Sequence, residues 1–244
     1  MPRGRLLAND PPDWASLRLT DRMRRELQVL FVGINPGVRS AITGHHFAGY
    51  SNRFWKLLWE SRLVPEPITF VDDRRLLEFG FGITNLIARP SPGIDDLKPA
   101  EYVAGWHILE RKIRRYKPRV VALVGVTLYR AIQPLLANDA DRTPRPRRVP
   151  LMTGLRPETI HGARIYVLPN PSGRNANFTY AEMLRAFRGL RRSLAESAED
   201  LAQRRRGSLA ETQRVSRGDA EGLSQRRRGR RETPVRSGPL RRSE

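Results

Sequence analysis

Two apolar runs in this chain end in an Asn-Pro pair followed by small residues, Asn35-Pro36-Gly37 and Asn170-Pro171-Ser172-Gly173, and a third ends at Asn85. An asparagine amide carries one donor group and one acceptor. It can hold a water through its oxygen, or meet a hydrogen-bonding edge with both groups, but it cannot remove a proton. Asn35 is followed by Gly44-His45-His46-Phe47, and then by Asn52-Arg53-Phe54-Trp55-Lys56. Paired histidines suggest zinc, yet this stretch has no third histidine and no carboxylate to complete a tetrahedral set, so no metal is expected. Cysteine is absent, which removes thiol catalysis, disulfides and cysteine-bound clusters. Neither a G-x-G-x-x-G nor a G-x-x-x-x-G-K-[ST] loop follows the first apolar run, so a nucleotide-binding enzyme is not supported.

The elements that would carry these residues alternate. Gln28–Ile34, Phe79–Leu86, Arg119–Val124 and Arg164–Leu168 are continuous apolar runs, the pattern of strands buried on both faces. Between them, Ser51 is placed to cap a helix over Asn52–Ser61. Pro99 opens a helix through Tyr116 that Pro118 stops, with Tyr102, Val103, Trp106, Leu109 and Ile113 inward. Thr127 is placed to open Leu128–Ala137. Thr179 and Glu182 form a capping box, and Phe178 with Met183 a hydrophobic staple, for a helix presenting Met183, Leu184, Phe187, Leu190 and Leu194. Strands alternating with helices predict a three-layer α/β/α domain with a central, mostly parallel sheet. Ligands bind such sheets beyond the carboxyl ends of the strands, which is where the asparagines fall.

Three segments follow from composition: a polar, loosely packed lead-in over 1–25, the α/β domain over 26–195, and an arginine-rich tail over 196–244. Residues 201–244 hold thirteen arginines against five acidic residues, with Gln203–Gly207 repeated at Gln225–Gly229, and no core can be built from that. Disorder is expected there. The formal charge of +20 over 244 residues calls for a polyanionic partner, nucleic acid before membrane. No apolar run approaches the roughly 18 residues of a spanning helix, and the first residues lack a signal-peptide core, so a cytoplasmic location is expected.

The segment Gly33–Lys56 (GINPGVRSAITGHHFAGYSNRFWK) resembles the first active-site motif of the mismatch-specific uracil/thymine DNA glycosylases. Three further blocks fall in that family's order: Gly82–Leu97 (GITNLIARPSPGIDDL), Gly154–Pro157 (GLRP), and Asn170–Gly173 (NPSG). The resemblance covers roughly Leu27 to Leu194. It implies a uracil-DNA-glycosylase-like fold and a monofunctional hydrolase of base-excision repair. Such an enzyme needs no cofactor and acts as a monomer on double-stranded DNA. Its substrate would be uracil, thymine or a modified cytosine in G·U or G·T mismatches.

Under that resemblance Asn35 holds the water that attacks C1′, and Phe47 stacks on the flipped base, a contact worth ~1–3 kcal/mol. Ile34, Ser40, His46 and Asn85 line the base, with Ser40 and Ala41 small enough to leave room beside C5. His45 supports the loop, and Trp55 packs. Asn170, Ser172 and Gly173 meet the DNA, and Arg174 stands where relatives place an intercalating wedge, in several of them an apolar residue. Asn175-Ala176-Asn177 do not match the family's following residues clearly. Ser91 reads as a contact to base or phosphate, or as an ordinary exposed serine. Uracil is a tolerable leaving anion. A motif without a carboxylate therefore predicts a slow enzyme that works by positioning. The competing reading is a non-catalytic nucleic-acid-binding protein that uses the basic tail.

Overall fold

The computed structural model describes residues 13–136, 153–197, 199 and 203. The chain divides into two compact units, Met1–Leu194 and Ala195–Glu244. In the first, five strands form one sheet: β1 (Val29–Gly33), β2 (Phe81–Asn85), β3 (Val120–Val124), β4 (Gly154–Ile160) and β5 (Ala163–Leu168), in the order β2-β1-β3-β5-β4. All neighbours are parallel except β4 and β5. The helices are α1 (Val38–Thr43), α2 (Phe54–Glu60), α3 (Pro99–Tyr116), α4 (Val126–Ile132) and α5, which begins at 180 and is still helical at 197. A 3-10 helix spans Phe70–Leu77.

Strand side chains alternate between the two faces of the sheet, and the core is divided accordingly. Val29, Phe31, Phe81, Ile83, Val120, Ala122 and Tyr166 face a layer containing Leu57 and Leu58 of α2 and Met183, Phe187 and Leu190 of α5. Leu30, Val32, Val121, Leu123, Ile165 and Val167 face Trp106, Leu109 and Ile113 of α3 and Leu128, Tyr129 and Ile132 of α4. The continuous apolar runs are thus strands sandwiched between helices, as expected for three layers.

Several local expectations need correction. The lead-in is not loose where it nears the sheet. Arg22 bridges Ile83 on the free edge of β2, with reciprocal N–H···O bonds of 2.9 and 2.8 Å. Ser51 does not cap α2; the Asn52 side chain accepts the Phe54 N–H at 2.9 Å instead. Val103 of α3 is exposed, because the buried stripe runs through Trp106, Leu109 and Ile113. Thr127 lies inside α4, which starts at Val126 behind Gly125. By contrast the Thr179–Glu182 box forms, with Thr179 N–H donating to Glu182 Oε2 at 2.7 Å and Glu182 N–H to Thr179 Oγ1 at 3.3 Å.

Strand β4 takes in the Gly154–Pro157 block, which carries no continuous apolar run. It is an exposed edge, with Leu155 half exposed and Pro157 where no ladder donor is needed. His161 and Gly162, both with positive φ (48° and 83°), make the tight turn into β5. The disorder expected over 196–244 concerns residues that lie outside the described ones, apart from 196, 197, 199 and 203, which are helical.

Candidate active site

The carboxyl ends of β1, β2 and β5 open on a single cavity of about 930 Å³, large enough for a nucleotide. Asn35, Asn85 and Asn170 all line it, at the switch point where the chain leaves β1 for β2 on one side and later places β3 on the other. Ile34, Ser40, His46, Phe47, Ser172 and Arg174 line it too. Gly173 packs instead against Ser51, so closely that a side chain at 173 would collide with it.

Asn35 is held from one side. Its Nδ2 donates to Ser91 Oγ at 2.8 Å and lies 3.3 Å from the Arg89 carbonyl and 3.2 Å from that of Pro36. The Ser91 hydroxyl spends its own proton on the Gly93 carbonyl, so its lone pair faces Asn35. Three acceptors around one atom identify it as nitrogen, and Oδ1 is left with no protein donor among the described residues. Ser91 is therefore not an exposed serine. It is 2 % exposed and fixes the orientation of Asn35.

Asn85 pairs with Gly33 in the β1–β2 register, and its Oδ1 occupies the space a side chain at Gly33 would fill. No described residue hydrogen-bonds its side-chain amide, which keeps a donor and an acceptor available in the cavity. Phe47 adopts a left-handed backbone (φ 50°), unusual for a bulky residue. Its ring stacks on Phe54 with centroids 4.2 Å apart and 21° between planes, so one face is covered and the ring borders the cavity.

A buried carboxylate pins the loop that carries Phe47. Asp73, fully buried in the 3-10 helix, accepts Arg22 Nε at 3.0 Å, His46 N–H at 3.2 Å and His46 Nδ1 at 3.2 Å, and lies 3.3 Å from His45 Nδ1. Arg22 also donates to the Gly44 carbonyl at 3.1 Å, and Trp55 Nε1 to that of His46 at 3.1 Å. Burial alone would raise the Asp73 carboxyl, but the His46 and Arg22 hydrogen bonds outweigh it and hold the group well below the usual range. Burial lowers the His46 pKa against the opposing pull of Asp73, so the ring is neutral. An ionised carboxylate can only accept, hence Nδ1 carries the proton and Nε2 is a buried lone pair with no partner among the described residues. Both backbone groups of His46 are spent inside the protein, so a contact to a base would fall to its ring. His45 Nδ1, although near the Asp73 carboxylate, makes no hydrogen bond among the described residues. Ser40 Oγ accepts the Ala48 N–H at 3.1 Å, and its hydroxyl thereby closes the loop.

On the opposite wall, Asn170 Oδ1 accepts the Ser172 N–H at 3.0 Å and its carbonyl accepts Asn175 Nδ2 at 2.8 Å. Arg174 is exposed and reaches across to the Pro92 carbonyl at 3.4 Å. Among the described residues, no group of three or more His, Asp or Glu side chains is placed to hold a metal.

A family model described as the uracil DNA glycosylase superfamily matches residues 21–191. The chain belongs to that superfamily. It is also 36% identical over 153 residues to a protein of Schizosaccharomyces pombe (strain 972 / ATCC 24843) named G/U mismatch-specific uracil DNA glycosylase. That alignment takes in 62% of this chain and 45% of the relative, so the chain spans less than half the length of the curated relative it matches. For a member of the superfamily, Asp73 and the roles of Ser91 and Arg22 were not legible from the motifs. The only sequence signal for Asp73 was an acidic pair, Asp72-Asp73, within an otherwise basic and apolar stretch.

Proposed function

We propose that this chain is a monofunctional glycosylase that hydrolyses the N-glycosidic bond of uracil in DNA, preferring uracil opposite guanine and acting as a monomer. The orientation of Asn35 carries the reading: its Nδ2 is tied down by Ser91, and its Oδ1 is left toward a cavity that also holds an aromatic ring and an unspent amide. A flipped nucleotide enters the cavity and its base stacks on Phe47, between Ile34, Ser40 and His46. The Asn85 amide meets the N3–O4 edge, donor to acceptor and acceptor to donor. The bond from C1′ to N1 breaks with its electron pair leaving on the base, and the sugar becomes oxocarbenium-like. A water held by Asn35 Oδ1 adds to C1′ and releases its proton to solvent, and the departing base anion takes a proton from solvent, giving free uracil and an abasic site. Among the described residues Asp95 is the one carboxylate lining the cavity, and it sits on an exposed rim. Positioning rather than proton abstraction is what remains to lower the barrier. Thymine and alkylated cytosine fit the same reading if the small Ser40 and Ala41 leave room at C5.

Single-turnover excision on labelled duplexes carrying G·U, A·U and G·T, and on single-stranded uracil, tests the reading. G·U should be cleaved fastest, because a weakly paired base costs less to extrude. No strand break after alkali on any of the four would sink it.

Arg174 belongs to the same reading as the wedge that fills the hole left by the flipped base. Its long bond to Pro92 is weak enough to exchange for the DNA stack. Arg174→Ala should slow excision from duplexes on the order of 10-fold, since extruding a base costs a few kcal/mol and the hole would close unopposed. The single-stranded rate should change little. Equal losses on both would reduce Arg174 to a phosphate contact.

A further inference from the structure

Tyr50 lies at the mouth of the cavity with 90 % of its surface exposed, the most open large aromatic or aliphatic side chain among the described residues. A ring so exposed adds almost nothing to a core, yet it is not loose. The Arg39 guanidinium lies 3.5 Å from its centroid, a close cation–π stack, and the same guanidinium is 5.6 Å from the Phe70 ring. Arg39 is itself anchored, its Nε donating to the Ala48 carbonyl at 2.7 Å. Ala48 is fixed in turn by Ser40, on the loop that carries Phe47. The terminal nitrogens of Arg39 meet no carboxylate or carbonyl among the described residues. The molecule therefore presents, beside the cavity, an aromatic face backed by a cation whose remaining donors are unspent.

We propose that Tyr50 and Arg39 form a second nucleotide subsite, in which the free face of Tyr50 stacks on a base next to the flipped one and Arg39 donates to the adjoining phosphate. Aromatic stacking is indifferent to sequence, because every base has a π-face, and the guanidinium supplies the charge that a strand backbone needs. The subsite would grip the strand whether or not a complementary strand is present. It rests on the reading above only in taking DNA as the ligand.

The test is binding of full-length protein to a short single-stranded oligonucleotide and to a duplex, each carrying a tetrahydrofuran abasic analogue that cannot react. Tyr50→Ala should weaken binding to the single strand roughly 10-fold or more, and Tyr50→Phe by less than about 2-fold, because the ring and not the hydroxyl makes the contact. Arg39→Met should flatten the slope of log affinity against log salt by about 0.7, one phosphate on a single strand, with Tyr50→Ala leaving that slope unchanged. Tyr50→Ala binding like wild type would overturn the subsite, and so would Tyr50→Phe losing as much as Tyr50→Ala. The two readings fail separately. A wild type that releases no uracil but shows these binding losses sinks the activity and keeps the subsite. A Tyr50→Ala protein that binds and excises normally does the reverse.

Discussion

Asn35→Ala is expected to lower single-turnover excision of uracil by about 10²- to 10³-fold while leaving affinity for abasic duplex DNA nearly unchanged. The asymmetry follows from what the side chain touches. Asn35 makes its protein contacts through Nδ2, to Ser91 and two carbonyls, while Asn170, Ser172 and Arg174 lie on the other wall. Removing the amide takes away the water's acceptor without disturbing the groups proposed to hold the strand. Ser91→Ala supplies the intermediate case. It keeps Asn35 but leaves Nδ2 with only the two longer contacts, so the amide can swing and the water loses its aim. A loss of about 10-fold is expected, at unchanged affinity. An Asn35→Ala enzyme that excises at near wild-type rate would remove this residue from the mechanism, and a folded Ser91→Ala enzyme with full activity would remove the orienting bond.

The residues that could be read from the sequence are those whose environment is local. Asn35, Asn85 and Asn170 each end a buried strand, and a parallel sheet puts such ends together regardless of how the rest packs. The capping box at Thr179 spans four residues and forms as written. What escaped reading depends on partners distant in the chain or on competition between neighbours. Asp73 meets His46 across 27 residues and Arg22 across 51. Nothing in the local pattern distinguishes it from Asp72, which is an ordinary helix-end cap bonded to Thr69. Ser51 does not cap α2 because the helix starts two residues later than the pattern suggests, at Phe54, which leaves Ser51 two positions ahead of the N-cap Arg53. Strand β4 has alternating half-exposed residues and a proline, so it lacks the apolar run that marked the other four.

Asp73→Ala should destabilise the fold by about 3–5 kcal/mol, because it strands Arg22, 8 % exposed, as a buried charge without its counter-ion. For a domain of this size the melting temperature would fall on the order of 10 °C. Excision should fall as well, since the Gly44–Phe47 loop loses its anchor and the left-handed Phe47 loses what holds it against strain. The pH dependence separates this from a simple packing defect. In the fold Asp73 is depressed below its ordinary 3.8, so its stabilisation is fully present above that value. It is lost as pH falls through 3.8 toward the folded value, where the unfolded chain binds a proton that the native state refuses. His46 is depressed below 6.5, and by the same argument the wild type begins to lose stability as pH drops under 6.5. Both groups act in one direction, and acid weakens the fold twice. Alanine at 73 cannot titrate, so the first of these losses is absent from the variant. The gap in melting temperature between wild type and Asp73→Ala should therefore narrow as pH falls below 3.8 toward about 3. A gap that stays constant across that range would mean that Asp73 acts by shape, and that its charge does not hold the base-facing loop.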